Sequence, residues 1–247
     1  MTLDRGAGPE VLTSTSGPAA SEGILFDLDD TLLDHRGAAR EALSRWVRAN
    51  GLAEPMDLLE ARWIELETTF YRRYQAGELT RLEQRRHRVR AFLPSHGDAD
   101  DEAADAAFDD YWSAYRESWR LFDDARDALV RAQRGGYAVG ILTNGLLADQ
   151  RRKLEATGLA DLGLPLIASS QLPAAKPDPR AFVAACRIIG VEPGRCLMVG
   201  DSLESDIEGA RGAGLRPVLL DRLGAHTGVD VRTIRSLKQL FEADPTA

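Results

Sequence analysis

Cysteine is nearly absent: the 247-residue chain holds only Cys186 and Cys196. Both sit among apolar residues, which suits buried, reduced thiols and argues against a disulfide framework or a thiolate metal site. Histidine is scarce too, with four residues and no metal-ligand spacing among them, so none is assigned a ligand role. No apolar run approaches the roughly 20 residues that span a bilayer, and the N-terminus lacks the basic patch and apolar segment of a secretory signal. A cytoplasmic location with no membrane partner is the expectation. There is no basic excess either. A net charge of −8 argues against a nucleic-acid partner, because phosphate backbones attract basic surfaces, but it leaves a small phosphorylated substrate open. What remains is an ordinary globular composition, 44% hydrophobic and 28% charged, long enough for one large domain or a core plus a smaller one. Oligomeric state cannot be read from it.

Residues 1–21 are rich in Gly, Ser, Thr, Pro and Ala and read as a disordered tail. An apolar run, Ile24-Leu25-Phe26, then drives into a cluster of carboxylates, Asp27, Asp29, Asp30 and Asp34. The run suits a strand buried on both faces, and carboxylates at its end are costly unless a cation or hydrogen bonds compensate. After it the texture turns helical. Ala39, Leu43, Trp46 and Val47 mark one helix that Gly51 ends, and Met56, Leu59, Trp63, Leu66, Phe70 and Tyr74 mark a second. A third is expected over 79–93, stopped by Pro94, and a fourth carries Phe108, Tyr111, Trp112, Tyr115 and Trp119. All four tryptophans fall here, so residues 35–120 read as a helical domain with its own aromatic core, roughly 85 residues and an ordinary small-domain size.

From residue 121 helices and strands alternate. Strands are expected at 137–142, 166–168, 196–199 and 218–220, separated by helices at 124–134, 148–157 and 180–189 and a further one after Asp201. That pattern means right-handed βαβ units and a parallel sheet. The fold class is α/β: a Rossmann-like core made of 22–34 and 121–247, interrupted by the helical insertion. Ligands of such a sheet bind beyond the carboxyl ends of its strands. Three strands here end in polar groups, Asp27, Thr143 and Asp201, which would converge on one edge, with the insertion emerging over it.

Asp27 and Asp29 lie two apart where the chain leaves a strand, so in extended geometry they point to the same side and suit a nucleophile and a general acid/base. Asp201 and Asp206 add negative charge. Four carboxylates at one site repel unless a cation intervenes, and oxygen-only ligands favour Mg²⁺. Lys176 supplies a positive charge, while Thr143 and the backbone amides of Asn144-Gly145 supply donors for an anion. Such a set fits phosphoryl transfer, which depends mainly on positioning and charge neutralisation.

Asp27-Leu28-Asp29-Asp30-Thr31, Thr143-Asn144-Gly145, Lys176-Pro177-Asp178-Pro179 and Gly200-Asp201-Ser202-Leu203-Glu204-Ser205-Asp206 resemble the four ordered motifs of the haloacid dehalogenase superfamily. The likeness runs from Gly23 to about Asp221, apart from the insertion. It is nearest the N-acylneuraminate-9-phosphatase and pyrimidine 5′-nucleotidase branch. The resemblance implies that Asp27 attacks phosphorus to form an aspartyl-phosphate, and that Asp29 protonates the leaving alcohol and then activates water. It also implies that Thr143, Asn144 and Lys176 hold the phosphoryl group, and that Asp27, the Asp29 carbonyl, Asp201 and Asp206 bind Mg²⁺. The insertion then resembles the helical cap that closes over the site. The expected function is a Mg²⁺-dependent phosphomonoesterase for a sugar phosphate, nucleoside monophosphate or similar metabolite. Its rivals are a dehalogenase, disfavoured because expelling halide needs no acid such as Asp29, a phosphomutase, and a non-catalytic phospho-ligand-binding regulator.

Other residues take plainer readings. Asp30 and Asp34 are expected to be turn or cap residues, and Thr31 to hydrogen-bond within its loop. The run Arg81, Arg85, Arg86, His87, Arg88 and Arg90 has two readings, a contact for a substrate phosphate or carboxylate and, favoured here, a solvated helix face balanced by the acidic Asp98–Asp110 segment. The aromatic residues of the insertion read mainly as core, with one or two lining a substrate pocket as the alternative. His35 is the one histidine near the site.

Overall fold

A computed structural model describes residues 22–242 (all but the side chain of residue 75); the expected tail, 1–21, lies outside the described residues. Six strands form one sheet: β1 (Gly23–Phe26), β2 (Ala138–Thr143), β3 (Leu166–Ala168), β4 (Cys196–Gly200), β5 (Arg216–Leu220) and β6 (Arg232–Ile234). Their order is β3-β2-β1-β4-β5-β6 and every pairing is parallel. β1 is central, with Phe26 opposite Ile141 on one side and Val199 on the other. The chain winds outward in both directions from it, and a ligand crevice opens at such a reversal. β6 is absent from the sequence reading, because three residues with one buried side chain carry no periodic signal.

Successive residues of β1 face opposite layers, as a strand's period of two requires. Ile24 and Phe26 pack with Ala125, Leu129 and Ala132 of α5 (Ala125–Arg134). Leu25 packs with Ala181, Phe182 and Ala185 of α7 (Pro179–Ile189). Proline opens α7 with Asp178 accepting from the Arg180 N–H, and Gly190 closes it at φ 71°, a conformation glycine adopts without strain. Cys186 and Cys196 are free and buried.

Four helices, α1 (His35–Ala49), α2 (Met56–Gln75), α3 (Arg81–Phe92) and α4 (Asp101–Glu117), pack around a third cluster. Trp46, Trp63, Phe92 and Tyr111 lie at its centre with ring centroids 4.9–5.6 Å apart, within the range favoured by aromatic pairs. Caps set the helix starts. Asp34 accepts from the Gly37 N–H, and Thr80 and Glu83 form a reciprocal capping box on α3. Asp34 is thus a cap residue, and Asp30 a turn residue at φ 64° whose carboxylate accepts from the Arg36 N–H. The two chain crossings between this helical unit and the sheet run side by side. Leu33 bridges Leu121, the Asp34 N–H donates to the Arg120 carbonyl, and the Phe122 N–H donates to that of Leu32. No helix among the described residues is long and apolar enough to cross a membrane.

Candidate active site

The parallel register brings the ends of β1, β2 and β4 to one level, so Thr143, which ends β2, and Asp27 and Asp201, which follow β1 and β4, lie at adjacent strand ends. Asp27 is buried, and its N–H donates to the Val199 carbonyl at 2.9 Å, which continues the ladder one residue past β1. Lys176 is also buried; its Nζ donates to Asp27 Oδ1 and Asp206 Oδ1, both at 2.6 Å. Oxygens of Asp27, Asp201 and Asp206 lie within 4.8 Å of one another. Asp206 is locked by the Ser202 N–H, which donates to Oδ2 at 3.1 Å. A side chain at Gly200 would overlap the Asp206 carboxylate, which explains why glycine precedes Asp201.

The electrostatics are those of a site short of positive charge. Burial pushes the Asp27 carboxyl well above its ordinary range, Lys176 opposes that shift, and Asp206 and Asp201 add to it. Burial, Asp206 and Asp30 push Asp201 up to about 7, against the pull of Arg36 and Lys176. Lys176 is held protonated by Asp27 and Asp206 despite a burial that favours the neutral amine. Among the described residues one buried ammonium, with the exposed Arg36 guanidinium 3.1 Å from Asp201, faces three carboxylates. A hard divalent cation with oxygen ligands is the group this donor set fits, since it would offset both the burial and the mutual repulsion that raise Asp27 and Asp201.

Asp29 is separate from that cluster. Lys153 Nζ donates to both its carboxylate oxygens at 2.7 Å, and Gln150 Nε2 to Oδ2 at 3.1 Å. Burial would raise Asp29, but Lys153, His35 and Gln150 hold it below the ordinary carboxylate range. Gln150 also donates to the Thr143 hydroxyl at 2.6 Å and the Asn144 carbonyl at 3.0 Å, tying both ends of β1 and β2 together. Neither Lys153 nor Gln150 was expected. Both belong to α6 (Leu147–Ala156), where they share the buried stripe with Leu154. A lysine and a glutamine three apart on the inward stripe of the helix after Thr143-Asn144-Gly145 were the available signal.

Two expected anion donors are otherwise engaged. The Gly145 N–H donates to Ser169 Oγ at 2.9 Å, which corrects its assignment as an anion donor. The Asn144 side chain forms a two-way clamp on the Lys176 backbone, donating from Nδ2 to its carbonyl and accepting from its N–H, each at 2.9 Å. Asn144 therefore aims Lys176, and only its backbone N–H remains for an anion. Thr31 is corrected as well: its buried hydroxyl has no partner among the described residues.

A cavity of about 440 Å³ opens between the sheet edge and the helical unit. Asp29, Asn144, Gln150 and Lys153 form its sheet side; Tyr111, Trp112 and Tyr115 of α4 and Arg81, Arg85 and Arg88 of α3 form the other. His35 Nδ1 and Tyr115 Oη lie 2.6 Å apart beside Asp29. One further expectation, the solvated face of α3, is corrected here. Arg86 and Arg90 do pair with Asp101 and Asp105, but three arginines of the supposed solvated face line a cavity instead. The aromatic residues of α4 likewise serve both the core and the cavity wall.

Residues 22–214 match the model of the haloacid dehalogenase-like hydrolase family. The chain is 33% identical over 221 residues to the phosphoserine phosphatase of Thermus thermophilus, covering 81% of this chain and 88% of that protein. It is 28% identical over 214 residues to the mouse (Mus musculus) N-acylneuraminate-9-phosphatase, covering 81% and 82%. Among solved structures, the HAD-hydrolase YfnB of Bacillus subtilis, bound to magnesium, superposes with a TM-score of 0.72 at 26% identity, over 90% of this chain and 97% of that one.

Proposed function

The chain belongs to the haloacid dehalogenase-like hydrolase family, and on that premise we propose that it is a Mg²⁺-dependent phosphatase of small phosphomonoesters. Phosphatase relatives aligned over four-fifths of the chain support the reaction class. The observation that carries it is the Lys176 bridge between Asp27 and Asp206, with Asp201 beside it. This is a nucleophile, a counter-charge and a cation-binding set at one strand edge. Asp27, Asp201 and Asp206, with the Asp29 carbonyl, would hold Mg²⁺, which supplies charge neutralisation of the phosphoryl oxygens and of the carboxylates themselves.

A carboxylate oxygen of Asp27 attacks phosphorus in line with the leaving alcohol; the new P–O bond forms as the ester P–O bond breaks. Lys176, the Thr143 hydroxyl and the Asn144 N–H surround the transferring group. Asp29, when protonated, gives its proton to the departing alkoxide. As a carboxylate it then takes a proton from water, which attacks the aspartyl-phosphate at phosphorus and releases inorganic phosphate with Asp27 restored. Lys153 favours the carboxylate and so suits the second half-reaction; the first requires a proton to reach the Asp29–Lys153 pair. In the proposed division, 35–120 is the cap and 22–34 with 121–247 the core, with the paired crossings at Leu33 and Leu121 as hinge. Cap closure keeps bulk water from the intermediate.

Asp29 remains the residue that a halide leaving group would not need. Release of phosphate from p-nitrophenyl phosphate and a panel of phosphomonoesters, with Mg²⁺ and with EDTA, tests the proposal. Turnover in Mg²⁺ and silence in EDTA are expected; no phosphate release from any ester, or indifference to chelator, would refute it.

A further inference from the structure

The cavity wall opposite Asp29 is more basic than catalysis at Asp27 requires. Four cationic side chains line the cavity, Arg81, Arg85, Arg88 and Lys153, against three carboxylates, Asp29, Glu67 and Asp149. Three ion pairs use up all three carboxylates. Lys153 holds Asp29, Arg81 reaches across to Asp149, and Arg88 Nη1 lies 3.3 Å from Glu67. Arg85 is left over. Among the described residues its guanidinium makes no hydrogen bond and no ion pair, although Asp149 and Asp109 are close enough to act on its charge. Burial pushes it down to about 10, with Arg81 and Arg88 adding repulsion.

Arg85 is not adrift. Its Cζ sits 4.6 Å from the Phe108 ring centroid and 5.1 Å from that of Trp112, a stacking geometry that fixes the fork while leaving its N–H edge unused. Arg88, one turn on, is 4% exposed; it lies 4.2 Å over Trp63, and its Nε and Nη2 have no partner among the described residues. Arginines kept for structure on this helix look different: Arg86 and Arg90 each meet carboxylates on α4. The wall is continuous with the reaction centre. Trp112 abuts Tyr115 at 5.2 Å, and Lys153, which grips Asp29, lies 5.9 Å from the Tyr115 ring.

We propose that Arg85, backed by Arg88, forms a subsite for an oxyanion at the end of the leaving group remote from the scissile phosphate. The substrates are then phosphomonoesters that carry a second negative charge, a carboxylate or a second phosphate, with Trp112 and Tyr115 flanking the carbon chain between. This assignment rests on the phosphatase reading above. A partly desolvated, unpaired guanidinium gains more from such an anion than a solvated one does, because the competing water is already gone.

Matched pairs test it: 3-phosphoglycerate against glycerol 3-phosphate, 6-phosphogluconate against sorbitol 6-phosphate, and fructose 1,6-bisphosphate against fructose 6-phosphate. Affinity by calorimetry with the full-length protein in EDTA and kcat/KM in Mg²⁺ are both measured. In at least one pair the doubly charged member should win by roughly 10- to 100-fold, the range for charge-assisted hydrogen bonds. A preference confined to the carboxylate pairs identifies a carboxylate, and one confined to the bisphosphate identifies a second phosphate. Arg85→Gln should bring the ratio close to one, and Arg85→Lys should keep part of it. Equal or undetectable affinities within every pair, with hydrolysis intact, would overturn the subsite alone. An intact affinity difference without phosphate release from any compound would instead overturn the phosphatase reading.

Discussion

Replacing Lys176 with methionine removes the cation that, among the described residues, lies buried between Asp27 and Asp206 beside Asp201, while keeping a side chain of similar length. Its Nζ makes two 2.6 Å contacts, to Asp27 and Asp206, with all three groups nearly inaccessible to water. Without it, and without Mg²⁺, the site relieves its charge by keeping an additional carboxyl protonated. Against an unfolded value near 3.9, doing so at pH 7 costs about 4 kcal/mol, at 1.36 kcal/mol per pH unit. That agrees with the roughly 3–5 kcal/mol lost when one partner of a buried pair is removed. The sign follows from linkage. The carboxyl's folded pKa is raised above its unfolded one, so its folded form is stable below the unfolded pKa and loses stability as pH rises towards the folded value. The deficit should therefore shrink to about 1.5 kcal/mol at pH 5. Urea denaturation of wild type and Lys176→Met in EDTA at the two pH values reads both numbers, and added Mg²⁺ should narrow the gap. A loss below about 1 kcal/mol at pH 7, or one equal at both pH values, would exclude Lys176 as the charge that keeps these carboxylates ionised.

Other expectations are more compact. Mg²⁺ affinity should climb through pH 7, where Asp201 at about 7 ionises; binding at pH 6 should release more protons than binding at pH 8, which calorimetry in buffers of different ionisation enthalpy detects. Lys153→Met should raise the Asp29 pKa by removing the ammonium that lowers it. The acidic limb of the pH–rate profile should then move to higher pH, and an unmoved limb would remove Lys153 from the account. Burial would raise Asp124, but Arg222, the Ser236 hydroxyl and the Leu237 N–H hold it down. Asp124→Asn should cost about 3 kcal/mol at pH 7 by stranding Arg222. Because the folded pKa is depressed, that difference is present above the unfolded carboxylate pKa and should close as pH falls through the folded value; a gap persisting in acid would contradict the assignment.

The parts of this site legible in the sequence are those encoded by short spacing. Asp27 and Asp29 end an apolar run, and Asp201 and Asp206 follow another, so position along a strand already places them at the sheet edge. Lys153 and Gln150 were not legible in that way. Their direction depends on which stripe of α6 faces the core, and α6 is a short helix whose polar residues reach nearly all round it. The placement of Arg85 and Arg88 is hidden in the sequence for a related reason. The acidic segment that follows does neutralise Arg86 and Arg90, but α3 turns residues 81, 85 and 88 to a different face, and only the packing of α4 against it makes that face a cavity wall. Gly145 shows a third limit. Its backbone N–H looked like an anion donor until the fold brought Ser169 against it from 24 residues away.

The proposed mechanism turns on the Asp27 carboxylate itself attacking phosphorus. Rapid mixing of the Mg²⁺-loaded enzyme with a hydrolysed phosphomonoester, acid quench and peptide mass spectrometry should find an acid-stable, hydroxylamine-sensitive phosphate on the peptide holding Asp27. Asp27→Asn should abolish both that adduct and turnover. Full phosphate release by Asp27→Asn, or an adduct on a different residue, would contradict the account.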